Sequence, residues 1–351
     1  MNIRFNTRLA SIPNSIWSKI TQIDELKGRW VGGANLSPNI LGRLKRSVLI
    51  TSTGASTRIE GSKMTDEDIE KMLRGISMQT FNDRDTQEVQ GYYELLHNIF
   101  DSWQSLSFTE GTIKHFHQEL LKYTDKDTHH RGEYKHRENK VEMIDEKGKS
   151  IGVLFDTTPA YLTPSEMQEL VEWTKQALLD KKYHPLLIIG NFIVEFLNIH
   201  PFTDGNGRLS RILTNLLLLK GGYAYMPYVS HEKLIEDNKP EYYLSLRKSQ
   251  KTFKTADEDI TIWLDFFLTV LLKQSQMALD LLSQESIEKI LSPNQLSVWE
   301  FLQKVDEVTP GEIAKQTGVA RSTVSQALDK LIDLKRIERI GLGATTRYRK
   351  I

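Results

Sequence analysis

The residue types best suited to chemistry lie together in one short stretch, His200–Arg211 (HPFTDGNGRLSR), between two strongly apolar runs. Asn206 and Gly207 mark the predicted start of a helix, where free backbone N–H groups and the positive end of the helix dipole favour an anion. Arg208 and Arg211 are three residues apart, so both can lie on one face near that start and offer planar donors that suit phosphate oxygens. The stretch therefore predicts an anion site that fits a phosphate group.

Two further side chains of this stretch complete the chemistry. Asp204 offers a hard oxygen ligand, and Mg2+ is usually held by one or two carboxylates together with phosphate oxygens and waters. His200 is a candidate general base. Phosphoryl or nucleotidyl transfer requires an oxyanion cradle, a metal, neutralising charge and a group that takes a hydroxyl proton. Taken singly, these residues also fit a structural histidine, a glycine turn and solvated arginines, but their convergence at one loop-to-helix junction favours the functional interpretation.

The elements that must position this loop are predicted to be helices. Apolar residues recur with helical spacing along most of the chain, and short polar breaks separate the runs. The clearest predicted helices are Asp66–Leu73, Thr86–Trp103, Thr109–Leu121, Pro164–Leu179, Pro185–Ile199 and Ile260–Glu288. One segment differs, because Asn139–Phe155 has two β-prone runs around residues 146–149 (EKGK), which predicts an exposed β-hairpin. The predicted fold class is therefore mainly α.

Composition narrows the class of protein. The 351 residues carry 46 basic and 46 acidic side chains and no cysteine. The absence of cysteine excludes a disulfide scaffold, a thiolate metal site and a cysteine nucleophile, and it agrees with a reducing cytosol. The longest uncharged apolar run, 183–194, is shorter than the roughly 20 residues that cross a bilayer, and the first residues lack an apolar signal region. We therefore expect a cytoplasmic protein without a membrane partner.

The stretch His200–Arg211 resembles the signature of the Fic family, HPFx[D/E]GNGRxxR, and it matches every fixed position. Flanking residues fit the same family over roughly Arg4–Leu272, including His-Pro at 184–185, Gly-Glu-Tyr at 132–134 and two tyrosines at 242–243. The resemblance implies a helical catalytic core. It also implies an enzyme that uses ATP and Mg2+ to transfer AMP to a Ser, Thr or Tyr hydroxyl of a target protein, releasing pyrophosphate.

The same resemblance implies roles for individual residues. His200 is implied as the base that activates the target hydroxyl, and Asp204 as the Mg2+ ligand. The hairpin Asn139–Phe155 is implied as the flap that aligns the target backbone by strand addition. The residues implied to hold the phosphates or to line the adenine pocket are Gly205, Asn206, Gly207, Arg208, Arg211, Tyr243 and Gln250.

A second motif lies at the end of a helix predicted to begin near Pro38. Ser56 and Glu60 are four residues apart and share a face, yet Glu60 lies at the helix C-terminus, where the dipole disfavours a negative charge. A solvated surface glutamate is the ordinary interpretation. The segment Ser56–Gly61, however, resembles the [S/T]xxxE[G/N] inhibitory motif of Fic proteins. This resemblance implies that Glu60 pairs with Arg211 and blocks a productive position of the ATP γ-phosphate.

The end of the chain is predicted to be a separate module. Residues 309–351 carry nine Lys or Arg and four Asp or Glu, a net of +5 in a neutral chain. Two short helical patterns joined at Gly318 are followed by two predicted strands around 341–343, and this order resembles a winged helix-turn-helix. The predicted core residues are Ile313, Ala314, Val319, Val324 and Leu328, and the predicted outward residues are Ala320, Arg321, Ser322, Thr323 and Gln326. DNA binding and a protein or dimer contact are both open for this module.

Together these features predict three regions and one main function. The regions are an N-terminal helical region at 1–105 with the inhibitory helix at about 38–61, a Fic catalytic core at 106–288 and a winged helix-turn-helix at 289–351. The predicted function is that of an autoinhibited protein adenylyltransferase acting on a target protein and on itself. The alternatives are a DNA-binding regulator whose Fic core senses nucleotide, and an enzyme that removes AMP or transfers another phosphate-linked group. The target, a homo-oligomeric state and any DNA site stay open.

Overall fold

The computed structural model describes residues 3–33, 36, 38–75, 83–144, 150–334, 336–341 and 346–350. The chain divides into two units, Met1–Leu279 and Asp280–Ile351. Helices dominate both units, which confirms the predicted mainly α fold. None of the described helices is both long and apolar enough to cross a bilayer.

The first unit consists of helices joined by short turns, together with one hairpin. Its helices are α1 (Ile3–Arg8), α2 (Asn14–Gly33), α3 (Pro38–Ile59), α4 (Asp66–Leu73), α5 (Asp83–Ser102), α6 (Glu110–Leu120), α7 (Thr163–Asp180), α8 (Pro185–Ile199), α9 (Asn206–Lys220), α10 (His231–Asp237), α11 (Lys239–Gln250) and α12 (Thr261–Ile290), and the boundary between the two units falls within α12. Several starts follow sequence signals, because Thr65, Thr109 and Ser230 each accept a hydrogen bond from a backbone N–H of the first turn that follows. The predicted helices are confirmed, with ends that differ by up to three residues.

Helices α8 and α9 form the core of the first unit, and the loop with the predicted chemistry joins them. Every residue of α8 from Leu186 to Ile199 is buried, as expected for a helix that is apolar around most of its circumference, and its buried Glu195 forms ion pairs with Arg4 and Arg8. α9 is also buried from Arg208 to Leu219. α7 packs against α8, and α5, α6 and α3 contact α9. The loop is therefore attached at both ends to well-packed helices.

The hairpin consists of β1 (Lys140–Ile144) and β2 (Ser150–Asp156), which pair antiparallel. Lys140 lies opposite Asp156, and two register shifts interrupt the pairing farther along the strands. The two strands confirm the predicted hairpin. Its predicted turn, residues 146–149, lies outside the described residues.

The second unit has the order of elements predicted for a winged helix. It contains α13 (Pro293–Leu302), α14 (Pro310–Thr317), α15 (Arg321–Asp333) and the antiparallel strands β3 (Ile337–Ile340) and β4 (Arg347–Lys350). The predicted core residues Ile313, Val319, Val324 and Leu328 are buried, and Ala314 packs against them. The predicted outward residues Ala320, Arg321, Ser322 and Gln326 are exposed, whereas Thr323 is half-buried. Residues 342–345 of the predicted turn lie outside the described part of the chain.

Candidate active site

The loop between α8 and α9 is held between two residues with left-handed backbone conformation. His200 follows α8 with φ 51 and ψ 59, and its backbone N–H donates to the Phe196 carbonyl at 2.9 Å. Gly205 precedes α9 with φ +80, a conformation that glycine adopts readily. A non-glycine residue in such a conformation costs on the order of 1–3 kcal/mol. The contacts around the loop must therefore hold His200 in place.

The His200 imidazole is arranged as a proton acceptor. Its Nδ1 lies 3.3 Å from the Leu197 carbonyl oxygen, to which an Nδ1–H donates. This hydrogen bond leaves the lone pair on Nε2. Burial lowers the pKa of His200 to about 4, against the weaker opposing effect of the Leu197 carbonyl. The ring is therefore neutral at physiological pH.

Asp204 lies on the same loop and is surrounded by donors. Its Oδ1 accepts from the Gly205 N–H at 2.6 Å, and its Oδ2 accepts from Arg208 at 3.0 Å and from Arg84 at 3.1 Å. Burial acts to raise the pKa of Asp204, but Arg208, the Gly205 N–H and Arg84 outweigh it, so the pKa is lowered. The side chain remains 36% exposed. One ionised, partly exposed carboxylate fits an Mg2+ ion that arrives with phosphates.

No larger set of metal ligands accompanies Asp204 in the described part of the chain, where no group of three or more His, Cys, Asp or Glu side chains could hold a metal. Arg208 next to it is 2% exposed and also forms an ion pair with Glu88 at 2.8 Å. Arg208 therefore has two carboxylate partners from the chain itself.

Arg211 pairs with the predicted inhibitory segment. Its Nη2 donates to Glu60 Oε1 at 2.7 Å and to the Ser56 carbonyl at 2.9 Å, and its Nε donates to Ser56 Oγ at 2.8 Å. Burial acts to lower the pKa of Arg211, but the attraction of Glu60 outweighs it and the pKa is raised. A Cβ added at Gly207 would lie 2.3 Å from Glu60 Oε1. The Glu60 carboxylate therefore lies against the first turn of α9, at the predicted anion site.

The end of α3 explains how Glu60 reaches that position. Gly61 has φ +108, its N–H donates to Arg58 O at 3.1 Å, and the Ser62 N–H donates to Thr57 O at 3.1 Å. These two bonds form a Schellman motif, which places Glu60 as the last residue before the chain leaves the helix. Glycine is the residue that takes this backbone conformation without strain.

Arg58 holds the end of α3 to its neighbours. Its Nε and Nη2 donate to the two oxygens of Glu236 on α10, at 2.6 and 3.1 Å. Its Nη1 donates to Asp66 Oδ1, at the start of α4, at 2.9 Å. These contacts fix the segment that carries Glu60.

The remaining predicted phosphate and adenine residues differ in how close they come to the loop. The Asn206 side chain donates to Phe202 O at 2.8 Å and accepts from Phe202 N–H at 2.9 Å, so it stabilises the loop from inside. The Tyr243 hydroxyl donates to the Ile59 carbonyl at 3.4 Å and so touches the end of α3. Gln250 is the last residue of α11, and within the described residues its side chain has no hydrogen bond to the loop.

His117 on α6 is a loop contact that the sequence analysis missed. Its Nδ1 accepts from the Gly132 N–H at 2.9 Å, so Nε2–H donates to the Asp204 carbonyl at 3.0 Å. Its ring stacks on Phe202 with a centroid distance of 3.8 Å. Burial lowers the pKa of His117 to about 4, which keeps this ring neutral as well. No pattern in the sequence points to it, because its hydrogen-bond partners are backbone groups 15 and 87 residues away in the chain.

Two parts of the chain match known protein families. Residues 107–218 match the Fic/DOC family, and residues 291–345 match the MarR family. A probable protein adenylyltransferase of Aquifex aeolicus is 33% identical over 85 residues, which are 24% of this chain and 25% of that protein. A Fido domain-containing protein of Dictyostelium discoideum is 34% identical over 102 residues, which are 27% of this chain and 64% of that protein. The matches thus span less than two thirds of either relative.

One solved structure is similar along nearly the whole chain. The crystal structure of a Fic family protein from Desulfovibrio desulfuricans has a TM-score of 0.63 and 24% identity, and the match covers 97% of both chains. This similarity concerns the fold. The loop His200–Arg211 lies within the Fic/DOC match, and α13, α14 and α15 lie within the MarR match. Residues 107–218 therefore form a Fic/DOC-family domain, and residues 291–345 form a MarR-family winged helix.

Proposed function

We propose that this protein is an autoinhibited protein adenylyltransferase, which transfers AMP from ATP to a Ser, Thr or Tyr hydroxyl of a target protein and of itself. The observation that carries the proposal is the neutral His200 imidazole, with its lone pair on Nε2, on the loop that leads into the N-terminus of α9. The relative of Aquifex aeolicus that is named a probable protein adenylyltransferase supports the reaction class.

In the proposed reaction, His200 Nε2 takes the proton of the acceptor hydroxyl while the hydroxyl oxygen bonds to the α-phosphorus of ATP. The bond from the α-phosphorus to the bridging oxygen of the β-phosphate breaks, and pyrophosphate leaves. Backbone N–H groups at the start of α9 stabilise the charge on the phosphate oxygens. Asp204 would hold Mg2+, which neutralises phosphate charge when it is bound.

Inhibition is proposed to come from Glu60. Its carboxylate pairs with Arg211 at 2.7 Å and lies against the first turn of α9. Glu60 thereby occupies Arg211, the cation that the ATP γ-phosphate requires, and its negative charge repels that phosphate. ATP then binds with its α-phosphate out of line with the attacking hydroxyl, so inhibition lowers kcat more than it lowers the affinity for ATP.

The test is incubation of the full-length chain with labelled ATP and Mg2+, alone and with a cell lysate, followed by mass spectrometry of the modified residues. Glu60→Gly should incorporate AMP, and Glu60→Gly with His200→Ala should lose roughly 100-fold or more of that rate while still binding ATP. His129, which is exposed, offers a matched control as His129→Ala. Addition of a different mass would indicate another phosphate-linked donor. Near-normal transfer without His200 would refute the mechanism.

A second function is proposed for the winged helix, namely DNA binding. Arg321, Ser322 and Gln326 are exposed on α15, the second helix of the helix-turn-helix. That helix is the one that enters the major groove in related modules. The net charge of +5 over residues 309–351 favours a phosphate backbone as its partner.

A further inference from the structure

The turn that carries His200, residues 199–202, is held by hydrogen bonds to its carbonyl groups from a segment far away in sequence. The Nζ of Lys135 donates to the Ile199 carbonyl at 2.9 Å. The backbone N–H of Lys135 donates to the Pro201 carbonyl at 2.8 Å. One residue thus holds the turn on both sides of His200.

Asn139 holds the other two carbonyl groups of the turn. Its Nδ2 donates to the His200 carbonyl at 3.3 Å and to the Phe202 carbonyl at 3.0 Å. All four carbonyls of the turn therefore accept hydrogen bonds from Lys135 or Asn139. An amide with two N–H donors is the side chain suited to bridging two carbonyl groups.

The same two residues connect the turn to the hairpin. Asn139 directly precedes β1, and Thr157 directly follows β2. Lys135 Nζ donates to Asn139 Oδ1 and to Thr157 Oγ1, both at 2.8 Å. The Thr157 hydroxyl donates back to Asn139, with Thr157 Oγ1 lying 2.9 Å from the Asn139 carbonyl oxygen and 2.5 Å from Asn139 Oδ1. Lys135, Asn139 and Thr157 form the turn clamp, which joins both ends of the hairpin to the turn.

All three N–H donors of the Lys135 ammonium are hydrogen-bonded. Lys135 is only 3% exposed, and its donors meet three neutral oxygens, those of the Asn139 side chain, the Thr157 hydroxyl and the Ile199 carbonyl. Burial lowers the pKa of Lys135 to about 8, against the opposing attraction of Glu138 and Glu166. A cation placed to bind a phosphate would keep donors directed at its ligand. Lys135 is therefore arranged to fix backbone geometry.

We propose that Lys135 and Asn139 are positioning residues that hold the His200 imidazole at a fixed position and orientation relative to the hairpin. His200 has the left-handed φ of 51, which persists only when its surroundings impose it, and the clamp binds the carbonyls on both sides of it. The clamp thus keeps Nδ1 of His200 on the Leu197 carbonyl and Nε2 available for a proton. The catalytic consequence rests on the proposed AMP transfer.

The decisive variant is Asn139→Asp in the Glu60→Gly background. Aspartate keeps the size of asparagine and accepts from Lys135, but it cannot donate to the carbonyls of His200 and Phe202. Asn238 supplies a matched control, since its Nδ2 also donates to a backbone carbonyl, that of Leu234 at 2.8 Å, away from the loop. Asn238→Asp should leave the kcat of the parent unchanged.

Two readouts distinguish positioning from general damage. Because a misplacement of about 1 Å can cost on the order of 100-fold, Asn139→Asp should lower kcat by about that factor while the Kd for ATP stays within about twofold. Nitrogen-15 spectra of the histidine rings at pH 7.5, assigned with His200→Ala, should show a single Nδ1–H tautomer for His200 in the parent and a mixture in Asn139→Asp.

An unchanged His200 tautomer in Asn139→Asp would overturn the proposal. A loss of kcat accompanied by an equal loss of ATP affinity would do so as well, because it would indicate a purely structural role. If the Glu60→Gly parent transfers no AMP at all, the proposed function fails. The tautomer measurement then still decides whether the clamp positions His200.

Discussion

At the scale of single residues, the pKa of His200 makes the proposed base testable. Burial lowers it to about 4, so the neutral, proton-accepting form is already populated well below neutral pH. With Glu60→Gly as the active form, kcat should stay level from about pH 7, where Lys135 with its pKa of about 8 is still charged, down to about pH 6, and fall only as His200 becomes protonated near its lowered pKa. A base with the ordinary pKa of about 6.5 would instead lose half of its activity already at about pH 6.5. A pH profile of the initial rate at saturating ATP and Mg2+ separates the two cases, and a midpoint near 6.5 would contradict the buried, neutral His200.

The second residue-scale prediction concerns Asp204. Its lowered pKa keeps it ionised throughout the neutral range, and it is the one carboxylate on the loop. Asp204→Ala should raise the Mg2+ concentration for half-maximal activity by roughly tenfold or more, the size of effect seen when a metal site is weakened. The fold should survive, because Arg208 keeps Glu88 as a partner at 2.8 Å.

Asp101→Ala is the matched control for Asp204→Ala, since it removes a half-exposed surface carboxylate that pairs with Lys45 and His97, outside the loop. Its Mg2+ titration in the Glu60→Gly background should overlay that of the parent. If the titration of Asp204→Ala also overlays that of the parent, Asp204 is not the Mg2+ ligand.

At the scale of elements, α3 carries the proposed inhibition. A carboxylate at a helix C-terminus is disfavoured by roughly 0.3–1 kcal/mol, and Arg211 offsets this through the 2.7 Å contact with Glu60. Removing Glu60 would free the start of α9 for the γ-phosphate of the proposed ATP substrate. Glu60→Gly should therefore raise AMP incorporation by about 100-fold or more, the order expected for correcting the alignment of the phosphate.

The measurement for α3 is the initial rate of AMP incorporation in the wild type and in Glu60→Gly at saturating ATP and Mg2+. Glu67→Gln provides a control, because Glu67 is a surface glutamate, 76% exposed, that pairs with Lys71 within α4. It should leave the rate unchanged. Equal rates in the wild type and Glu60→Gly would mean that Ser56–Gly61 is only the end of a surface helix, or that another event such as oligomerisation has already released the inhibition.

The elements also show what the sequence could and could not predict. The loop and its two helices follow from local signals, namely an apolar run, a proline, two glycines and a second apolar run. The approach of Glu60 to Arg211 joins residues 151 positions apart, and only the family resemblance pointed to it. His117, Lys135 and Asn139 were missed because they bind backbone carbonyls of the loop. Such contacts depend on how distant segments pack, and they leave no spacing in the sequence.

At the scale of the whole molecule, a net charge of zero hides an uneven distribution. The 46 basic and 46 acidic residues balance, yet residues 309–351 have an excess of five positive charges. The remaining residues therefore carry an equal negative excess. The proposed DNA contact is consequently expected to involve the winged helix, where the positive charge is concentrated.

The prediction for the winged helix is a steep dependence of DNA binding on salt. Each phosphate contact releases counterions, so the logarithm of the binding constant should fall linearly with the logarithm of the salt concentration. Full-length protein and genomic DNA fragments, measured by fluorescence anisotropy from low to physiological salt, give this slope.

The variant for the winged helix is Arg321→Gln, which removes an exposed cation at the start of α15. It should weaken DNA binding and lower the magnitude of the salt slope by about one. Arg74→Gln, which removes an exposed cation of the first unit, is the matched control and should change neither the affinity nor the slope. Absence of binding at low salt would exclude the DNA function and leave this MarR-family module as a protein or dimer contact.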